Sequence, residues 1–189
     1  MNDFKLYFET GWEHIISKEA TDHILFILAL GAVYTMRRWK PVLILVTAFT
    51  IGHSLTLALS VADIVRFSST WVEFLIPVTI VLTSLFNLIR PAEGNYKINY
   101  LLALFFGLIH GMGFANTIRF MLAEDQQIFV PLLAFNLGLE AGQLILVLAL
   151  LAMQWLIVQK AGLNRVLWIR LISIITLAWG GWLASGRLP

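Results

Sequence analysis

The chain has 189 residues, of which 59% are hydrophobic and only 13% charged, and its mean hydropathy is +0.84. That excludes a soluble domain of this length and predicts an all-α, polytopic integral membrane helix bundle with no nucleic-acid partner. Cysteine is absent, which excludes disulfides, thiolate metal sites and cysteine nucleophiles, and leaves imidazole and carboxylate as the strong ligands.

Residues 1–19 set Phe4, Leu6, Tyr7, Phe8, Trp12, Ile15 and Ile16 among charges. They are too polar to span and too acidic for a signal peptide, and predict an amphipathic helix lying at the outer interface. A membrane helix needs roughly 20 apolar residues to cross about 30 Å of hydrocarbon. Six segments qualify: about 20 to 36, 41 to 62, 70 to 90, 98 to 119, 129 to 159 and 166 to 184. One membrane domain over 1–189 is therefore expected, made of the interfacial segment 1–19 and a six-helix bundle over 20–184. Pro41 and Pro131 fall in first turns, where the missing amide proton costs nothing, whereas Pro77 lies inside the third segment and is expected to kink it.

Arg37, Arg38, Lys40, Arg90, Lys97, Lys160, Arg165 and Arg170 lie on one side of this topology, against Lys5, Lys18, Arg66, Arg119 and Arg187 on the other. The positive-inside rule puts the first set in the cytoplasm and both termini outside, in a bacterial-type inner membrane. Asp3, Glu9, Glu13, Glu19, Asp63, Glu124 and Asp125 all fall on the outer side, a surface that attracts cations.

Ionisable groups at membrane depth are expensive and mark pathways or sites. Asp22 and His23 open the first span, and Glu73 lies a few residues into the third. His53 and His110 are each about nine residues from the outer ends of their spans, or roughly 14 Å down. On the fifth span Asn136, Glu140 and Gln143 recur at spacings of four and three and form one polar stripe. Gly52, Gly107, Gly111, Gly113, Gly138 and Gly142 flank these positions, and small residues permit the close helix approach that turns a side chain into the bundle.

Each residue also has a plainer reading. His53 and His110 can donate to a carbonyl across a helix contact, although two imidazoles at matched depth beside an acid and an amide favour a shared site. Asp22, or Thr21 beside it, can cap a helix start. Asp22 also lies about 100° around the helix from His23, which makes it a partner that orients a histidine. Glu140 needs a cation, a proton or a hydrogen-bonded partner. His14 is a first ligand on the way in or simply solvated, Glu73 reads as a surface anchor, and Ser54 points away from His53. Asn87, Thr83 and Thr79, with Thr47 and Thr50, read as interhelical packing ahead of an inward path.

The phrases GWEHIISKEATDHILFILAL, FTIGHSLTLALS, VEFLIP, FGLIHGMGFA and FNLGLEAGQL, in this order over about residues 11 to 145, resemble the HupE/UreJ family of membrane proteins. The resemblance implies passage of nickel or a related divalent ion. It carries a role to Asp22 and His23, which match the family's Asp-His pair, and to His110 with Gly111, which match its later His-Gly. Two departures place the chain in a second branch: seven residues separate His14 from Asp22, and Gly113 stands where the better-known branch keeps a glutamate. Glu140 is the expected replacement carboxylate.

Together these readings predict a permease for nickel, cobalt or zinc. Its metal ligands are drawn from His14, Asp22, His23, His53, His110, Asn136 and Glu140, and its partners are the ion, the lipid bilayer and, as an option, further copies of the chain in a homo-oligomer. The alternative is an intramembrane zinc-dependent hydrolase acting on a lipid or peptide, since histidines and a carboxylate around zinc with one open position satisfy the same sequence. A third reading is a scaffold whose polar cluster only locks helices together.

Overall fold

A computed structural model describes residues 3–17, 20–91, 96–121 and 128–189. Seven α-helices follow one another: α1 (Asp3–Ile16), α2 (Thr21–Gly31), α3 (Trp39–Val61), α4 (Ser69–Ile89), α5 (Tyr96–Met121), α6 (Phe129–Gln154) and α7 (Arg165–Ser185), with no strand among the described residues. Among the described residues four stretches, Met36–Val61, Ser69–Ile89, Phe129–Lys160 and Arg165–Ser185, are long and apolar enough to cross a membrane. Their outward faces carry Ile44, Ile51, Leu82, Leu148, Ile174 and Trp179, all exposed. An apolar exterior of this extent suits lipid rather than water. The chain is an all-α membrane bundle.

The segment expected to span over 20–36 is much shorter. Helix α2 has only 11 residues, about 16 Å at 1.5 Å per residue, or half the hydrocarbon thickness. It ends at Gly31, and by Thr35 the backbone is extended. The apolar run continues through Val33 and Tyr34, so hydropathy alone does not register the stop. Tyr34 is buried instead as a fixed point, its hydroxyl accepting a hydrogen bond from Asn99 Nδ2 at 3.0 Å. Arg165 Nη2 donates to Val33 O nearby, at 2.7 Å.

Helix α1 forms, but where an interfacial helix was expected it packs along α6, to which its buried face, Tyr7, Gly11 and Ile15, is turned. A Cβ on Gly11 would lie 2.0 Å from Phe135 O, and one on Gly138 would lie 2.0 Å from Phe8 O. The two backbones therefore touch through reciprocal glycines, as in small-residue membrane contacts. Gly138 faces Phe8, Gly142 faces Ile15, and further along α6 Leu150 meets Gly31 of α2. Helices α1 and α2 thus follow one another along α6 in the same direction, with the interruption between Ile16 and Thr21. Gly138→Ala is expected to undock α1, since the clash is with backbone and overpacking of this kind costs about 1–3 kcal/mol or more. Hydrogen exchange would show α1 losing protection while α3 and α5 keep theirs.

Helices α3 and α5 make the other glycine-mediated contact. Cβ atoms on Gly52 and Gly107 would fall 2.2 Å from Leu104 O and 2.1 Å from Phe49 O, and Thr56 Oγ1 donates to Leu108 O at 2.8 Å. Helix α4 runs without interruption through Pro77. Its polar stripe is spent on hydrogen bonds inside the bundle: Asn87 Nδ2 donates to Ala29 O at 2.6 Å, Thr83 and Thr79 bond to carbonyls of their own helix, and Ser84 pairs with Thr176 of α7 at 2.7 Å.

Candidate metal site

Four helices deliver one histidine each to the same place. His14 sits in the last turn of α1 and His23 in the first turn of α2, on either side of the interruption. His53 projects from α3 and His110 from α5, where the glycine contacts hold the two backbones together: Cβ atoms on Gly107 and Gly111 would meet the backbone N and O of His53. Ring centroids are 4.8 Å apart for His14 and His23, 5.0 Å for His23 and His110, 6.3 Å for His14 and His53, and 6.5 Å for His23 and His53. One ring nitrogen each from His14, His23 and His53 lie within 4.8 Å of one another.

Nitrogens bound at about 2.1 Å to a tetrahedral ion lie about 3.4 Å apart. The trio is therefore more open than a bonded site.

Hydrogen bonding singles out the same spot. His110 Nδ1 is 2.8 Å from Phe106 O, so Nδ1 carries the proton and Nε2 presents its lone pair inward. Seven of the eleven buried side-chain polar atoms without a partner among the described residues belong here: His14 Nε2, Asp22 Oδ1, His23 Nε2, both ring nitrogens of His53, His110 Nε2 and Asn136 Oδ1. Each such atom costs about 1–3 kcal/mol. Imidazole nitrogens with a carboxylate oxygen form a donor set that suits zinc, nickel or cobalt.

A cavity of about 320 Å³ adjoins His14, His23 and His110 of the cluster, while His53 is fully buried and is not part of its lining. Its lining includes His14, Asp22, His23, Glu73, His110 and Arg187. On the opposite side the histidines rest on phenylalanines: Phe26, Phe49 and Phe106 each lie one turn deeper than His23, His53 and His110 and are almost fully buried. The ring of Phe26 is 5.2 Å from that of Phe49 and 5.4 Å from that of Phe106. Polar donors thus face the cavity, and an apolar layer closes the way beyond.

Several expected residues take different places. Glu140 is neither in the ligand group nor in the cavity lining; its Oε1 accepts from Thr47 of α3 at 2.8 Å, while Gln143 accepts from Thr50 one turn away. The stripe on α6 therefore serves mainly to join α6 to α3. Asn136 is His53's polar neighbour, but no well-aligned hydrogen bond joins them, and Asn136 Nδ2 donates to Leu132 O of its own helix.

The N-cap of α2 is Ala20, without a side-chain cap. Asp22 instead accepts from Arg187, and it lines the cavity together with His23 despite their angular separation. Glu73 is exposed, as expected of a surface residue, and also borders the cavity, as does Gly113. The carboxylates that share the cavity lining with the histidines are Asp22 and Glu73. Arg187 was legible only as a topological charge, because nothing local in the sequence ties residue 187 to residue 22.

The family model described as HupE / UreJ protein matches residues 1–185. The chain belongs to the HupE/UreJ family. The match takes in α1 to α7, so the HupE/UreJ unit includes the broken first segment with His14 and His23 as well as His53 and His110. The HupE/UreJ family is associated with nickel or cobalt transport or with urease maturation. No curated protein and no solved structure matches the sequence.

Proposed function

We propose that this HupE/UreJ protein is a divalent-metal permease whose cargo, nickel, cobalt or zinc, binds between His14, His23, His53 and His110. The observation that carries this is the convergence of unpartnered imidazole nitrogens from separate helices, three of the four histidines lining one cavity. Asp22 and Glu73 at the cavity wall supply negative charge to draw a cation in. Both termini and the cavity mouth face outward in an inner membrane, by the distribution of Lys and Arg. A cation leaving in the other direction has to pass the Phe26, Phe49 and Phe106 layer, so release requires α2, α3 or α5 to move.

Uptake of radioactive nickel or cobalt into proteoliposomes tests this reading. The parent protein is expected to accumulate the ion, and His110→Ala to lose most of the activity. Glu140→Gln should transport as the parent does, because Gln keeps an acceptor for Thr47 and the carboxylate stands outside the cluster. No uptake by the parent, or full uptake by His110→Ala, would overturn the assignment. Stoichiometric zinc that survives a chelator wash, without uptake, would support the hydrolase instead.

A further inference from the structure

The cavity contains a cation of its own. Arg187 Nη1 donates to Asp22 Oδ2 at 2.8 Å, with the two side chains 32% and 14% exposed. The second oxygen of Asp22, Oδ1, is buried and has no partner. Arg187 stands just past the end of α7, so it and the residues that follow can move away from Asp22 while the helix stays in place. Asp22 adjoins His23, and His14, His23 and His110 line the same cavity.

We propose that Arg187 is a tethered cation that holds Asp22 until a divalent ion displaces it. This rests on the metal-binding reading above. A guanidinium is charged at all accessible pH values, so it cannot yield by losing its proton and has to move. One carboxylate in a partly desolvated cavity does not accommodate a guanidinium and a dication side by side, because their repulsion is weakly screened there. Glu73, the other acidic residue of the cavity lining, is the group that receives the displaced side chain. The arrangement selects by charge. A monovalent ion brings no more charge than the arginine it has to replace and lacks the arginine's hydrogen bond, whereas a divalent ion also gains the imidazole nitrogens. The substrate class is thus narrowed to dications.

Two measurements on the full-length protein in nanodiscs test this. In a Co²⁺ titration Arg187→Gln should bind about tenfold more tightly than the parent, the gain expected when a latch that leaves one molecule in ten competent is removed. The chain has no cysteine, so Leu188→Cys with Val65→Cys accepts one pair of spin labels without background. Zn²⁺ should shift the distance between them in the parent and leave it unchanged when His23→Ala and His53→Ala are added. If the parent binds Co²⁺ but Arg187→Gln binds no more tightly, or if Zn²⁺ moves nothing, the latch is wrong and the metal site stands. If the parent binds neither ion, the metal reading fails and takes the latch with it.

Discussion

The double variant His23→Leu/His53→Leu is expected to lose metal binding altogether while folding at least as well as the parent. Loss of an outer-shell partner typically costs 10–100-fold in metal affinity, so each removed ligand should cost at least about a hundredfold, and two together should take binding out of the measurable range. Stability should move the other way. His23 Nε2 and both nitrogens of His53 are buried without a partner, and replacing unsatisfied polar groups by apolar ones of similar volume is close to neutral or stabilising. Leucine fills the space beside Phe49 and Phe135, which flank the His53 ring. Isothermal titration with Co²⁺ and thermal unfolding without metal measure the two effects separately. A scaffold in which the imidazoles merely lock helices together predicts a fall in stability, and so the opposite result.

Gly107→Ala is expected to be the most damaging single methyl group that can be added to the bundle's centre. The new Cβ would stand 2.1 Å from Phe49 O, 2.9 Å from Phe49 C and 3.1 Å from His53 N. All three are backbone atoms of α3, so no side-chain rotation relieves the overlap, and α3 and α5 must separate. The cost should reach about 3 kcal/mol or more, a large part of a typical folding free energy. His53 and His110 ride on the two helices being forced apart, so metal affinity should fall too. Gly181→Ala is the matched control. Its Cβ would meet nothing within 4 Å, and alanine is the better helix former by up to about 1 kcal/mol. Thermal unfolding in detergent should place Gly107→Ala far below the parent and Gly181→Ala at or above it.

The membrane class, the long helices and the matched depth of His53 and His110 were all legible in the sequence. They depend on apolar run length and on counting along a helix, which are local properties. The glycines were legible for the same reason, since a missing Cβ beside a buried polar residue has few other uses at a helix contact. What could not be read was rotation and partner. Glu140 has the depth of a ligand, but whether it meets imidazoles or Thr47 depends on how α6 is turned against α3. His14 looked interfacial because α1 is polar by composition; its place in the cluster follows from Gly11 and Gly138, more than a hundred residues apart. The pairing of Asp22 with Arg187 links opposite ends of the chain and leaves no trace in spacing. Helix α2 stops at Gly31 for a tertiary reason, the burial of Tyr34 against Asn99, within a run whose hydropathy continues.

X-ray absorption at the zinc edge, on protein loaded with one equivalent of Zn²⁺, addresses the histidine cluster itself. Three or four imidazole nitrogens at about 2.0–2.1 Å, reduced in number by His23→Leu, are the predicted first shell. A shell of carboxylate and water oxygens that is unchanged in that variant would contradict the site.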